Sequence, residues 1–189
     1  QFQAYSEDIA KETLFVNSNE IFDEMNDVQE YISRKDTEWT GAPKEQITPF
    51  MQGLINNKLS EKIKNEFELK EFYEHKYGYP IFSEVFITNK YGANVAQSQK
   101  TSDYYQADER WWQKAKDEGL YVSDVEYDES SGVYSVSIGI RIDDEDGKFL
   151  GAVKAVLNVA ETIEIVKEIQ NTSQYKTLSI ELLTVHSEI

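Results

Sequence analysis

The chain has 189 residues, 40% of them hydrophobic, which is enough for one substantial domain with its own core and too apolar for wholesale disorder. Thirty-five acids against nineteen bases leave a formal net charge of −16, which argues against nucleic-acid phosphates or anionic lipid headgroups as partners. Cysteine is absent, which excludes a disulfide framework, a thiolate nucleophile and a thiolate metal cluster.

Between Ser6 and Arg34, the residues Ile9, Thr13, Val16, Glu20, Ile21, Met25, Val28 and Ile32, with Phe15 and Phe22 beside them, recur at roughly helical spacing. They predict one long amphipathic helix opened by a Ser6 cap. Residues 40–49, TGAPKEQITP, carry a glycine and two prolines and predict a loop. From residue 52 the helical pattern resumes, with Leu54, Leu59, Ile63, Phe67 and Phe72 on one face and Gly78 as its end.

After Pro80 the texture changes. Residues 81–89, IFSEVFITN, and 93–98, ANVAQS, predict two strands joined by a turn at Lys90–Gly92. DYYQADERWWQKA, residues 103–115, predicts a short helix, because Ala107, Trp111, Trp112 and Ala115 fall at spacings of three and four. Residues 119–159 alternate around turns at Ser131–Gly132 and Asp146–Gly147 and predict a meander of three strands, five antiparallel strands in all. Residues 160–177 predict a helix with Ile163, Val166 and Ile169 inward, and 178–189 the start of another strand. The expected class is α+β, helices against one antiparallel sheet.

No apolar run approaches the roughly 20 residues of a membrane-spanning helix, and the first residues do not form a signal peptide. The chain opens on Gln1 and stops within an expected strand, so it reads as part of a longer protein whose flanks include membrane anchors.

Few motifs suggest catalysis or metal binding. DDEDG, residues 143–147, lacks the spacing and distal glutamate of a calcium loop and reads as a solvated hairpin turn. His75 and His186 stand in no metal-ligand spacing. There is no phosphate-binding glycine loop and no nucleophile elbow, so no catalytic residue, metal or cofactor is assigned.

The long first helix, the strand pair around VFITNKYGANVAQS, the tryptophan-bearing helix, YVSDVEYDESSGVYSVSIGIRI and GKFLGAVKAVLNV together resemble the extracytoplasmic Cache domain. This is the PAS-like sensor module of membrane histidine kinases and chemoreceptors. The resemblance covers most of the chain. It implies a helical region at 1–79, a PAS-like sensory sheet domain at 80–160, and at 161–189 a helix and strand that begin a membrane-proximal module. It further implies a non-enzymatic ligand-sensing domain of a two-component histidine kinase, homodimeric and tethered to the membrane by its flanks. A chemoreceptor sensor domain is the first alternative. An extracellular carbohydrate-binding or adhesion module, with the tryptophans as an exposed stacking platform, is the second.

In that family the pocket lies between the sheet and the tryptophan segment. Trp111 and Trp112 match the family's aromatic pair, and Asp128 matches the aspartate that receives a ligand ammonium. The place of the family's carboxylate-binding arginine holds Glu109, with Arg110 one position off, so an ordinary α-amino acid held in the family manner is not expected. A cationic amine is expected instead, with ring faces from Tyr104, Tyr105, Trp111 and Trp112 and negative charge from Asp108, Glu109, Asp124 or Asp128. Tyr127, Tyr134, Ser135 and Ser137 are further candidates; strand alternation puts half of the residues on their strand on the wrong face. Equally open is the reading in which Trp111 and Trp112 bury their rings against the sheet as core.

Overall fold

The computed structural model describes residues 2–67, 82–128, 133–159 and 163. Branched and aromatic residues build a six-stranded antiparallel sheet from β1 (Phe82–Asn89), β2 (Asn94–Gln97), β3 (Leu120–Val122), β4 (Glu126–Asp128), β5 (Val133–Asp143) and β6 (Phe149–Asn158). Their order is β2-β1-β6-β5-β3, with β4 also paired to β5. The α+β class stands, with one strand more than expected. The first strand of the meander is interrupted after Val122: Ser123 Oγ accepts the Ser137 N–H at 2.9 Å, and this side-chain bond ends the β3 ladder before β4 begins.

Both faces of the sheet are covered, and alternation assigns the residues. Val85, Ile87, Ile142, Val153 and Ala155 pack with Ile9, Phe15, Leu59 and Ile63 of the N-terminal helices. Phe86 and Ala152 point the other way and pack with Trp111, Trp112 and Ala115 of the short helix. Each such fully buried large side chain contributes about 1.5–3 kcal/mol relative to exposure.

The single long N-terminal helix is corrected. The segment forms three helices, α1 (Phe2–Ala10), α2 (Thr13–Asp23) and α3 (Val28–Gly41). On an uninterrupted helix Ile9 and Phe15 would point about 120° apart. The break before Thr13, where Glu12 is extended at φ −69° and ψ 122°, lets both enter the same core cluster. A second break ends at Asp27, whose carboxylate accepts the Glu30 N–H at 2.8 Å and starts α3. The inward stripe of α2 is Phe15, Asn19 and Phe22, while Ile21, expected inside, is 57% exposed. Ser6 lies inside α1, so it is not the cap of the helix.

The loop at 40–49 is present, and the helix after it is also broken, into α4 (Pro49–Ile55) and α5 (Lys58–Phe67). Pro49 sits in the first turn of α4 and Thr48 caps it. Asn57 opens α5: its Oδ1 accepts the Ser60 N–H at 2.8 Å and its Nδ2 donates to the Val95 carbonyl at 2.9 Å, which ties α5 to the sheet. Leu59 and Ile63 are buried as expected. Phe72, Gly78, the helix expected at 160–177 apart from Ile163, and the terminal strand lie outside the described residues.

Candidate functional site

The site is built on the sheet face turned away from α1, α2 and α5. Antiparallel register aligns five residues in one row across five strands: Gln97 opposite Phe86, Phe86 opposite Lys154, Lys154 opposite Gly139, and Gly139 opposite Tyr121. Helix α6 (Arg110–Glu118) lies over this row. The expected helix therefore exists, but it starts at Arg110, with Glu109 as its exposed N-cap and Ala107 before it.

Trp111 is 3% exposed and meets Phe86 edge-to-face at a centroid distance of 5.5 Å. A Cβ at Gly139 would come within 3.0 Å of Trp111 Cε3 and 3.2 Å of its carbonyl, so the absent side chain is what lets α6 settle on the sheet. The Lys154 ammonium stands 5.6 Å from the centroid of Trp111 and 5.7 Å from that of Phe86. Gln97 is fully buried, and both atoms of its amide are without a hydrogen-bond partner among the described residues.

Trp112 belongs to the next row. It is 4% exposed, its indole N–H donates to Thr88 Oγ1 at 2.9 Å, and its ring meets Phe149 edge-to-face at 5.4 Å. Lys116 covers both rings, at 5.2 Å and 5.7 Å.

The segment leading into α6 is pinned by α3. Asp36 Oδ1 accepts the backbone N–H groups of Tyr104 and Tyr105 at 2.9 and 3.0 Å, and the Trp39 indole donates to the Thr101 carbonyl at 2.8 Å. Tyr104 is buried beside Trp39 and Phe50, and desolvation holds its phenol protonated far above the ordinary range. Tyr105 is half-buried, and its phenol is raised first by desolvation and then by Asp108. Gln106 links this segment to the site: its Nε2 donates to the Asp103 carboxylate, and its Oε1 accepts the Trp111 indole N–H at 3.1 Å. Desolvation, then the negative charges of Glu109 and Asp36, push the Asp103 carboxyl up to about 6.

The residues singled out from sequence are thus only partly brought together. Trp111 and Trp112 share one cluster beneath α6, with Glu109 at its N-terminus and Tyr105 just before it. Tyr127 and Tyr134 stand directly opposite each other on β4 and β5, their rings 5.4 Å apart and 57% and 50% exposed. By alternation along β5 they project from the face opposite Gly139 and Trp111. Asp128 follows Tyr127 on β4, opposite Val133. Ser137 and Ser135 lie on the Gly139 face, one and two same-face rows along β5 from it, opposite Val156 and Asn158 of β6.

Lys154, Gln97, Asp103, Gln106 and Asp36 were not singled out from sequence. Lys154 had a legible signal, being the one charge within GAVKAVLNV, a run otherwise suited to a strand buried on both faces. No group of three or more acids and histidines among the described residues is arranged to hold a metal. No helix among them is long and apolar enough to cross a membrane.

No protein-family model matches the chain, and no curated protein sequence matches it. Solved structures do. One is the extracellular domain of a protein named as the histidine kinase rpHK1S-Z16, 18% identical, with 87% of this chain and 59% of that one aligned at a TM-score of 0.42. A second is the ligand-binding domain of the Pseudomonas aeruginosa amino acid chemoreceptor PctC in complex with GABA, at 12% identity, 90% and 68% coverage and TM-score 0.45. A third is the ligand-binding domain of the Campylobacter jejuni chemoreceptor Tlp3 in complex with 4-methylisoleucine, at 19% identity, 89% and 60% coverage and TM-score 0.36. The chain spans about three fifths of the length of the first.

Proposed function

We propose that the chain is the sensory part of an extracytoplasmic receptor domain of Cache type and binds a small solute on the α6 side of its sheet. The observation that carries this reading is the row Gln97–Phe86–Lys154–Gly139–Tyr121 beneath Trp111. A sheet face that serves only as core has no use for a fully buried amide without a partner, because such a group costs about 1–3 kcal/mol. Rigid aromatic walls with a few polar groups are the ordinary make-up of a small-molecule site.

The amine expectation gives way to a different ligand class. The faces of Trp111 and Trp112 already carry the ammonium groups of Lys154 and Lys116, so a cationic ligand on those rings would meet like charge. Burial of both tryptophans also weighs against an exposed stacking platform for carbohydrate.

Signalling follows from the thinness of the sheet. On β5, Gly139 touches Trp111 while its neighbours Ile138 and Ile140 face the other way, lining a cavity of about 560 Å³ together with Ser6 and Glu7 of α1. A solute that shifts α6 against β5 therefore acts on α1 across a single strand, and α1 passes the shift towards the membrane. In this reading the receptor is a homodimeric two-component histidine kinase with the chain outside the cytoplasm. Its helical part is 1–79, its sensory sheet 80–160, and 161–189 opens a membrane-proximal module.

A thermal-unfolding screen of the chain against amines, quaternary ammonium compounds, amino acids, small carboxylates and sugars tests the binding role. A compound at about 100 times its Kd stabilises the fold by about 2.7 kcal/mol, a readily measured rise in Tm. A flat response across the whole panel overturns the reading.

A further inference from the structure

We infer that Lys154 is the group that holds the anionic end of the solute, so that the ligand class is a small carboxylate or a zwitterion presenting its carboxylate to the sheet. This rests on the binding role proposed above and names the chemistry of that same site.

Lys154 stands in the middle of β6 between buried Val153 and Ala155, and across the sheet it lies between buried Phe86 and Gly139. Its ammonium is flanked by two aromatic rings and makes no ion pair and no hydrogen bond among the described residues. The chain carries 35 acids against 19 bases, so carboxylate partners for a lysine are abundant. Lys35, Lys62, Lys90 and Lys114 each have one. A half-buried ammonium placed against rings has lost part of its hydration, and an incoming carboxylate restores it with a charge-assisted hydrogen bond.

A second observation points to the same place. Gln97 occupies the same cross-strand row, two strands away, and its buried amide offers two donors and an acceptor with no partner among the described residues. Glu109, at the opening of α6, is exposed and negative, so it repels a carboxylate from that end and favours an orientation with the anionic group toward the sheet.

The test titrates the chain with straight-chain carboxylates, ω-amino acids, α-amino acids and the matching amines, reading tryptophan fluorescence and Tm. Parent, Lys154→Met and Lys154→Arg are compared, methionine being an apolar chain of similar length that suits the aromatic surroundings. The expected result is that only carboxylate-bearing compounds bind the parent, that Lys154→Met weakens them at least tenfold without loss of its own cooperative unfolding, and that Lys154→Arg retains them. Equal carboxylate affinity in Lys154→Met, or binding of amines that lack a carboxylate, overturns the role of Lys154 while leaving a binding site in place. If none of these compounds binds the parent but sugars do, Lys154 is again excluded and the sensor reading survives. Silence from every compound removes both.

Discussion

The indole N–H of Trp112 donates to Thr88 Oγ1 at 2.9 Å, and both residues are buried, so α6 is fastened to β1 by a hydrogen bond that water cannot replace. Thr88→Val keeps the shape and removes the acceptor. The expected cost is about 1–3 kcal/mol, read by urea unfolding, because the indole donor is left unpaired in an apolar setting. A neutral outcome would mean that α6 can lift from the sheet and expose the indole.

Gly139 offers a sharper probe of how closely α6 approaches. Gly139→Ala places a methyl within 3.0 Å of the Trp111 ring and 3.3 Å of Ala115 Cβ. Destabilisation of about 1–3 kcal/mol is expected from overpacking, with a change in tryptophan emission that Thr88→Val need not share. Small-solute affinity should fall with it.

Asp103 gives the fold a pH dependence of definite sign. Its folded pKa, about 6, lies above the ordinary value of 3.8, so the folded chain binds this proton more tightly than the unfolded one. Stability from this group is gained as pH falls through about 6 and is complete below 3.8. Discounted for partial exposure, the gain is about 1 kcal/mol. Asp23 and Glu38, both lowered first by lysine hydrogen bonds, act in the opposite direction. The check is therefore the difference between parent and Asp103→Asn: the variant should be the more stable at neutral pH, with the advantage gone in acid.

Asp27 tests the break in the N-terminal helical region. Asp27→Ala removes the cap on the Glu30 N–H and should cost about 1 kcal/mol. A continuous helix through this position would instead be stabilised by alanine.

The strands were legible because β1, β5 and β6 carry strong alternation or dense branched residues between glycine-bearing turns. The helix breaks were not, since nothing between Ser6 and Arg34 is glycine or proline and the apolar stripe runs on through both interruptions. Asp27 and Glu30 do have the spacing of a capping pair, a signal outweighed by the periodicity around it. At the site, helical spacing indicated the short helix, whereas the burial of Trp111 and Trp112 was one of two open readings and is decided by the sheet residues Phe86 and Ala152 packed against them. Tyr134 lies on the other face by alternation along β5, and Tyr127 joins it through the β4–β5 pairing, which no local pattern encodes. The row joining Gln97 to Lys154 exists only through the pairing of β2, β1 and β6.

Three tryptophans supply the most direct test, because Trp39 packs in a separate cluster with Met51 and Tyr104 while Trp111 and Trp112 project from α6 onto the sheet. In a ¹H–¹⁵N spectrum of the indole N–H groups, titrated with small carboxylates and zwitterions, the Trp111 signal should move with saturable dependence on concentration and the Trp39 signal should stay in place. Movement of Trp39 alone, or three signals unmoved by every compound, would contradict a solute site on this face of the sheet.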